Sequence, residues 1–204
     1  MGSSRGLRHR GDALLHLPGR HRRQQAVSGR IYSVGHGARS IDEFLATLQG
    51  VGITALVDIR TAPGSRKHPQ FGRDALAKSL EAVGIRYLHL KGLGGFRRAV
   101  ADSPNVALRS PAFRGYADHM GTEEFARAYG ELVAIADAET TAYMCAETLW
   151  WRCHRRILSD RLAADGWEVL HLLRPGETRP HRPSPEARLA DGRLVYDGAA
   201  PRLL

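Results

Sequence analysis

Apolar residues along this chain alternate between two periods, and the alternation predicts strands interleaved with helices. Short apolar runs at 31–35, 54–59, 85–90, 140–145 and 167–173 read as buried strands. Between them, apolar positions recur at helical spacing. Phe44, Leu45, Leu48 and Val51 form one stripe, with Ser40 and Glu43 predicted to close a capping box ahead of it and Gly50 and Gly52 to end it. Leu76, Leu80 and Val83 form a second stripe, stopped by Gly84. Thr122 caps a third, which carries Phe125, Tyr129, Leu132 and Val133, with Glu123 and Glu124 in its electropositive first turn. A fourth helix is predicted from Cys153 to Ala164, with Ile157, Leu158 and Leu162 turned inward.

Strands and helices in this order imply βαβ units. The expectation is a single α/β domain over 31–197, with a mainly parallel, roughly five-stranded sheet and helices on both faces. Residues 91–115 contain Gly and Pro and read as a long irregular loop of the kind that carries function. Arg193 to Tyr196 is expected to add an edge strand or to lie on the surface. Residues 1–30 read as a basic, disordered extension and 198–204 as a tail.

Composition is that of a globular protein, 43% hydrophobic and 25% charged. The net charge of +9 first suggests a nucleic-acid partner. Its distribution changes that reading: residues 1–30 hold seven arginines and one acid, whereas 31–173 hold 17 basic and 16 acidic residues. The charge belongs mostly to the extension, which is a solvated tail or an arm for phosphates. Two cysteines cannot build a disulfide framework and read as thiols in a reducing cytoplasm. No apolar run reaches the ~18 residues that a membrane span requires.

Ligands of open parallel sheets bind at the carboxyl ends of the strands. Those ends here carry His36, then Asp58 and Arg60, then His89, then Cys145 and Glu147, while His171 lies within the fifth strand. The densest segment is Met144-Cys-Ala-Glu-Thr-Leu-Trp-Trp-Arg-Cys-His-Arg-Arg156. Cys145 leaves a strand and Cys153 lies near a helix N-terminus, where free N–H groups lower a thiol's pKa. Arg152, His154 and Arg155 are candidate cations beside it.

Three readings stand side by side: inert buried cysteines, a nucleophilic or redox thiol, and a metal site built on Cys145, Cys153, His154 and a distant ligand such as His36. The spacing from Cys145 to Cys153-His154 is not that of a common zinc motif. On the thiol reading, Cys145 is the nucleophile and Glu147 the acid or base, with Cys153 and His154 beside them. Arg60, Arg152 and Arg155 then clamp an anion, or Arg60 pairs with Asp58. Gly92-Leu-Gly-Gly95 reads as a turn or as backbone close to a ligand, and Trp150 and Trp151 as packing or as a stacking platform.

These residues together resemble a bacterial and archaeal family, domain of unknown function 488. The matching pieces are Val34-Gly-His-Gly37; Val57-Asp-Ile-Arg60 with Pro63, Ser65, Arg66, Pro69 and Phe71; Gly84-Ile-Arg-Tyr87 with Leu93-Gly-Gly95; Phe113-Arg-Gly-Tyr-Ala117 with Met120; and Met144-Cys-Ala-Glu147 with Trp151-Arg-Cys-His-Arg155. Pro180-His-Arg182 with Ala187-Arg188 is similar to the family's C-terminal element. Trp150 and Arg156 depart from the pattern, which has proline and serine there, and Arg156 adds charge beside the candidate site. The resemblance implies an α/β fold, marks Cys-Ala-Glu and Cys-His-Arg as the signature, and brings His181 into the domain.

The expectation is therefore a cysteine-dependent enzyme acting on a small anionic or nucleotide-like molecule, with no cofactor. Its site residues are Cys145, Glu147, Cys153 and His154, with His36, Asp58, Arg60, Ser65, Arg152, Arg155 and His181 binding substrate. A nucleic-acid-associated module using the basic arm and the two tryptophans is the alternative, and a metal-binding domain the third.

Overall fold

A computed structural model describes residues 29–64 and 66–199. The basic extension and the tail fall almost wholly outside these residues, and Ser65 lies outside them as well.

Six strands form the main sheet: β1 (Gly29–Gly35), β2 (Ala55–Asp58), β3 (Arg86–His89), β4 (Thr141–Cys145), β5 (Trp167–Arg174) and β6 (Glu177–Pro180). Their order is β3-β2-β4-β1-β5-β6, parallel throughout except for β6, which runs antiparallel to β5. Five parallel strands agree with the sequence pattern. The sixth was hidden because Glu-Thr-Arg-Pro has no apolar alternation; Pro180 is tolerated at the edge, where its missing N–H breaks no ladder.

Alternation along the strands divides the core in two. Val57, Tyr143, Cys145 and Val169 face one layer, packed by α3 (Pro111–His119), α4 (Glu123–Ala138) and α5 (Arg155–Ala164). Tyr32, Val34, Leu56, Ala142 and Met144 face the other, packed by α1 (Ile41–Gln49) and α2 (Arg73–Glu81). Each fully buried Leu, Ile or Phe in these layers contributes on the order of 1.5–3 kcal/mol.

Caps set the helix starts. Thr122 accepts from the Phe125 N–H at 3.2 Å, and Ser40 accepts from the Glu43 N–H at 3.1 Å. The capping box does not close, because the Glu43 carboxylate pairs with Arg39 at 3.4 Å. Helix α3 corrects the irregular reading of 91–115. Pro111 marks its first turn, and Gly115 disguised it. That glycine is a packing requirement: a Cβ there would sit 2.3 Å from the Arg97 carbonyl. Residues 193–196 join neither edge of the main sheet. Arg193–Val195 forms β8, which pairs with β7 (Arg188–Ala190) as a separate hairpin and buries Leu194 and Tyr196.

Topology places the site. Strands β1 and β4 are neighbours, yet the chain leaves β1 for α1 on one face and leaves β4 for α5 on the other. Such divergence opens a crevice at the carboxyl ends of the two strands.

Candidate active site

The crevice is a cleft of about 400 Å³. His36, Arg60, Cys145, Glu147, Arg152, Cys153 and His154 all line it, so seven side chains predicted from scattered positions converge. Ala62, Phe96, Ala112, Phe113 and Ala146 give it apolar wall, beside Thr61.

Glycine lets the two strand ends run together. Past β1 and β4 the backbones stay paired, His36 N to the Cys145 carbonyl at 3.1 Å and Gly37 N to the Ala146 carbonyl at 3.0 Å. A Cβ on Gly35 would lie 1.9 Å from the Glu147 carbonyl oxygen. Gly37 has φ +53°, and a Cβ there would meet the Thr148 hydroxyl at 2.0 Å. The Gly-His-Gly segment is therefore what allows loop 146–149 to lie against it.

Two sulfurs form the floor. Cys145 Sγ and Cys153 Sγ are 2.8 Å apart as free thiols, both nearly buried. Arg155 lies beneath them. Its Nε donates to Cys145 Sγ at 3.1 Å, Nη1 to Ser33 Oγ at 3.1 Å, and Nη2 to the carbonyls of Glu147 at 2.5 Å and Thr148 at 3.2 Å. Its backbone N–H, in the first turn of α5, points at Cys153 Sγ at 3.5 Å.

This network separates the two thiols electrostatically. Burial, reinforced by the hydrogen bond to Cys153, pushes the Cys145 thiol well up. Burial also opposes ionisation of Cys153, but the Cys145 S–H, the Arg155 guanidinium and the Arg155 N–H outweigh it and bring Cys153 down to about 7. The directions favour Cys153 for ionisation, beside the Arg155 N–H, while the Arg155 guanidinium donates to Cys145.

Three cations were expected to form an anion clamp, and their positions differ. Arg155 is spent on the thiols, a hydroxyl and two carbonyls, and is 1% exposed. Arg60 is bidentate to the buried Asp58, with Nε to Oδ1 at 2.9 Å and Nη2 to Oδ2 at 2.6 Å. Tyr87 also donates to Asp58, at 2.7 Å. Only Nη1 of Arg60 turns toward the cleft, 3.5 Å from His36 Nε2. Arg152 is exposed at the mouth with no ion pair among the described residues. His154 is not a cation either: burial lowers its pKa and holds it neutral, with Nδ1 3.4 Å from Cys153 Sγ. His36 is likewise neutral, pushed down to about 4 mainly by burial, and stacks on Phe71 at 4.3 Å.

Glu147 is exposed and salt-bridges neither Arg152 nor Arg155; its carboxylate accepts from the Leu149 N–H at 3.3 Å. Gly95 packs against His154, where a Cβ would come within 2.9 Å of the ring, so the Gly-Gly turn brings backbone close to the site itself.

Other expected residues lie elsewhere. His181 is in the domain but not in the cleft. It sits 2.8 Å from Asp160 and 3.0 Å from His171, behind Trp150, whose ring stacks on His171 at 4.0 Å. That stacking removes Trp150 as an open platform and leaves Trp151 exposed. Arg156 does not add charge to the cleft: it pairs with Glu186 and donates to Ser184. A zinc ion would hold two thiolate ligands ~3.7 Å apart, with bonds of ~2.3 Å. Among the described residues no three His, Cys, Asp or Glu side chains are grouped to hold a metal.

Two participants escaped the sequence reading. Ser33 reads as a strand filler, and only the sheet register shows that it faces Arg155. Phe96 follows the glycine pair and stands at the rim, 95% exposed at φ +59°, a conformation that non-glycine residues seldom adopt. An exposed aromatic held in that conformation was not readable from its neighbours.

Fold and site together define an α/β domain with helices on both faces and a buried dithiol at its topological switch point. The sequence model of the family described as domain of unknown function DUF488 matches residues 40–162, and the chain belongs to that family. The match takes in Arg60 and both cysteines, while His36 and His181 lie outside it. Neither the curated proteins nor the solved structures contain a match to the chain. Among the described residues no helix is long and apolar enough to cross a membrane.

Proposed function

We propose that this protein is a cysteine-dependent enzyme in which the Cys153 thiolate attacks a small substrate bearing an anionic group. The observation that carries the reading is Cys153 at the floor of an open cleft, taking the Arg155 backbone N–H at 3.5 Å and lying 2.8 Å from the Cys145 sulfur that holds the Arg155 guanidinium. A thiolate is the nucleophilic form of cysteine, and it is available near neutral pH only where such partners stabilise it. In the proposed step Cys153 Sγ bonds to the electrophilic atom, the bond to the leaving group breaks, and the leaving group departs with its electron pair and takes a proton from solvent. Water or an acceptor, its proton taken by the Glu147 carboxylate, then releases the bound fragment and restores the thiolate. Arg152 at the mouth holds the anionic group, and Phe96 and Phe113 cover the apolar part.

A binding-module reading has less support. Trp150 is committed to His171, and the basic arm lies outside the described residues.

Paired alkylation tests the proposal. Iodoacetate and iodoacetamide present the same electrophilic carbon with and without a negative charge. Cys153 should react first with both and should favour iodoacetate more than a free thiol does, with Arg152→Ala abolishing the preference. An unreactive Cys153, or a preference unchanged by Arg152→Ala, would contradict it.

A further inference from the structure

We infer that Cys145 and Cys153 form a catalytic dithiol–disulfide couple, with Cys153 the attacking thiol, Cys145 the resolving thiol, and a low-molecular-weight organic disulfide the oxidising substrate. The inference rests on Cys153 being the nucleophile proposed above, and it adds a second chemistry to the same site.

Proximity is the main support. The sulfurs already lie 2.8 Å apart, so closing to a bond of ~2.05 Å requires less than ~1 Å of movement. The two sulfurs also differ in their hydrogen-bond partners. Cys153 lies just before α5 and takes the Arg155 N–H, which favours it as the attacking sulfur, and Cys145 sits at the end of β4. An organic disulfide needs room for two substituents around the attacked sulfur, and the cleft's apolar walls at Ala62, Phe96, Ala112 and Phe113 offer it.

The chemistry balances within these components. Cys153 S⁻ attacks one sulfur of R–S–S–R, forming Cys153–S–S–R and releasing RS⁻. Cys145 gives up its proton and attacks Cys153 Sγ, so the mixed disulfide breaks and a second RS⁻ leaves. The protein dithiol has then lost two electrons to the organic disulfide, which departs as two thiols once it takes up protons. The reverse sequence, run with excess small thiol, restores the dithiol.

Charge gives the direction in which the couple leans. In the reduced form the Arg155 guanidinium donates to Cys145 and its backbone N–H to Cys153, so the cation lies against the dithiol. In the disulfide the guanidinium keeps only the Ser33 hydroxyl and two carbonyls. Oxidation therefore removes the anion from a buried cation. A dithiol stabilised in this way yields an easily reduced disulfide, a property of catalytic couples and not of structural bridges.

Bis(2-hydroxyethyl) disulfide followed by peptide mass spectrometry tests this on the full chain. Wild type should form an intramolecular Cys145–Cys153 bridge without lasting adduct. Cys145→Ser should hold at least about tenfold more mixed disulfide, all of it on Cys153. Cys153→Ser should stay unmodified. A wild type that accumulates adduct on Cys153 without bridging would overturn the couple while leaving the nucleophile intact. A Cys153 that takes no adduct in either protein would overturn both.

Discussion

Two buried polar networks meet on helix α5 and do different work. One gathers Arg155, Ser33, Cys145 and Cys153 beneath an open cleft. The other gathers Asp160, His181, Ser184, Tyr196 and His171 under the C-terminal segment. Both contain buried charge and histidines near them, so burial and titratable chemistry alone do not separate a site from a strut. The second network centres on one carboxylate. Asp160 accepts from His181, the Ser184 N–H, the Ser184 hydroxyl at 2.6 Å and the Tyr196 hydroxyl at 2.8 Å. It ties residues 181–196 to α5 and touches no cavity wall of the cleft. The first network is incomplete by design of its surroundings: its sulfurs face open space.

The largest effect should come from the carboxylate-centred network. Asp160→Ala leaves four donors without their carboxylate and should lower unfolding stability by about 3–5 kcal/mol in urea, while Cys153 in the folded fraction alkylates at the wild-type rate. Loss of thiol reactivity in still-folded protein would show that the networks are not separate. Next comes Gly35→Ala, whose Cβ would fall on the Glu147 carbonyl and within 2.7 Å of Arg155 Nη2. It should cost about 1–3 kcal/mol and also alter Cys153 alkylation, because loop 146–149 must move. A stability loss with unchanged alkylation would separate that loop from the thiols.

Acid should weaken both regions. His36 is held down to about 4 and His171 to about 2, chiefly by burial. Once unfolded, each takes up a proton near pH 6.5, so the unfolded state binds more protons below that pH and stability falls as pH drops from 6.5 toward 4. Discounted for the partial exposure of its surroundings, the His36 share is on the order of 1–2 kcal/mol. His36→Phe keeps a ring against Phe71 and cannot protonate, so it should lose less stability than wild type between pH 7 and 4.5; an equal loss would remove His36 from the account. The smallest stability effect belongs to Glu147→Gln, an exposed change expected within about 0.5 kcal/mol by thermal unfolding. Any larger shift would mean that its carboxylate supports the fold and is not free for proton transfer.

Much of this difference was legible in the chain and some was not. The five parallel strands and four of the helices follow from period alone, because strands covered on both faces read as continuous apolar runs. The carboxyl ends then supplied His36, Arg60 and Cys145 as neighbours. What sequence could not order was the hydrogen bonding among them. Arg155 looked like a substrate clamp because an arginine's charge is visible and its four acceptors are not. His181 looked like part of the site because the resemblance places it in the domain, and nothing local distinguishes a buried relay from a cleft wall. Helix α3 was missed because Gly115 serves a contact with Arg97, distant in sequence.

The central claim is that Cys153 is the activated thiol, and its alkylation by iodoacetamide as a function of pH tests it most directly, with each cysteine followed separately by peptide mass spectrometry. Cys153 should reach half its maximal rate near pH 7, with Cys145 unmodified across that range, and in Arg155→Met its rate at pH 7 should fall about tenfold. A Cys145 that reacts first, or a Cys153 midpoint at or above the ~8.5 of an ordinary thiol, would contradict the account.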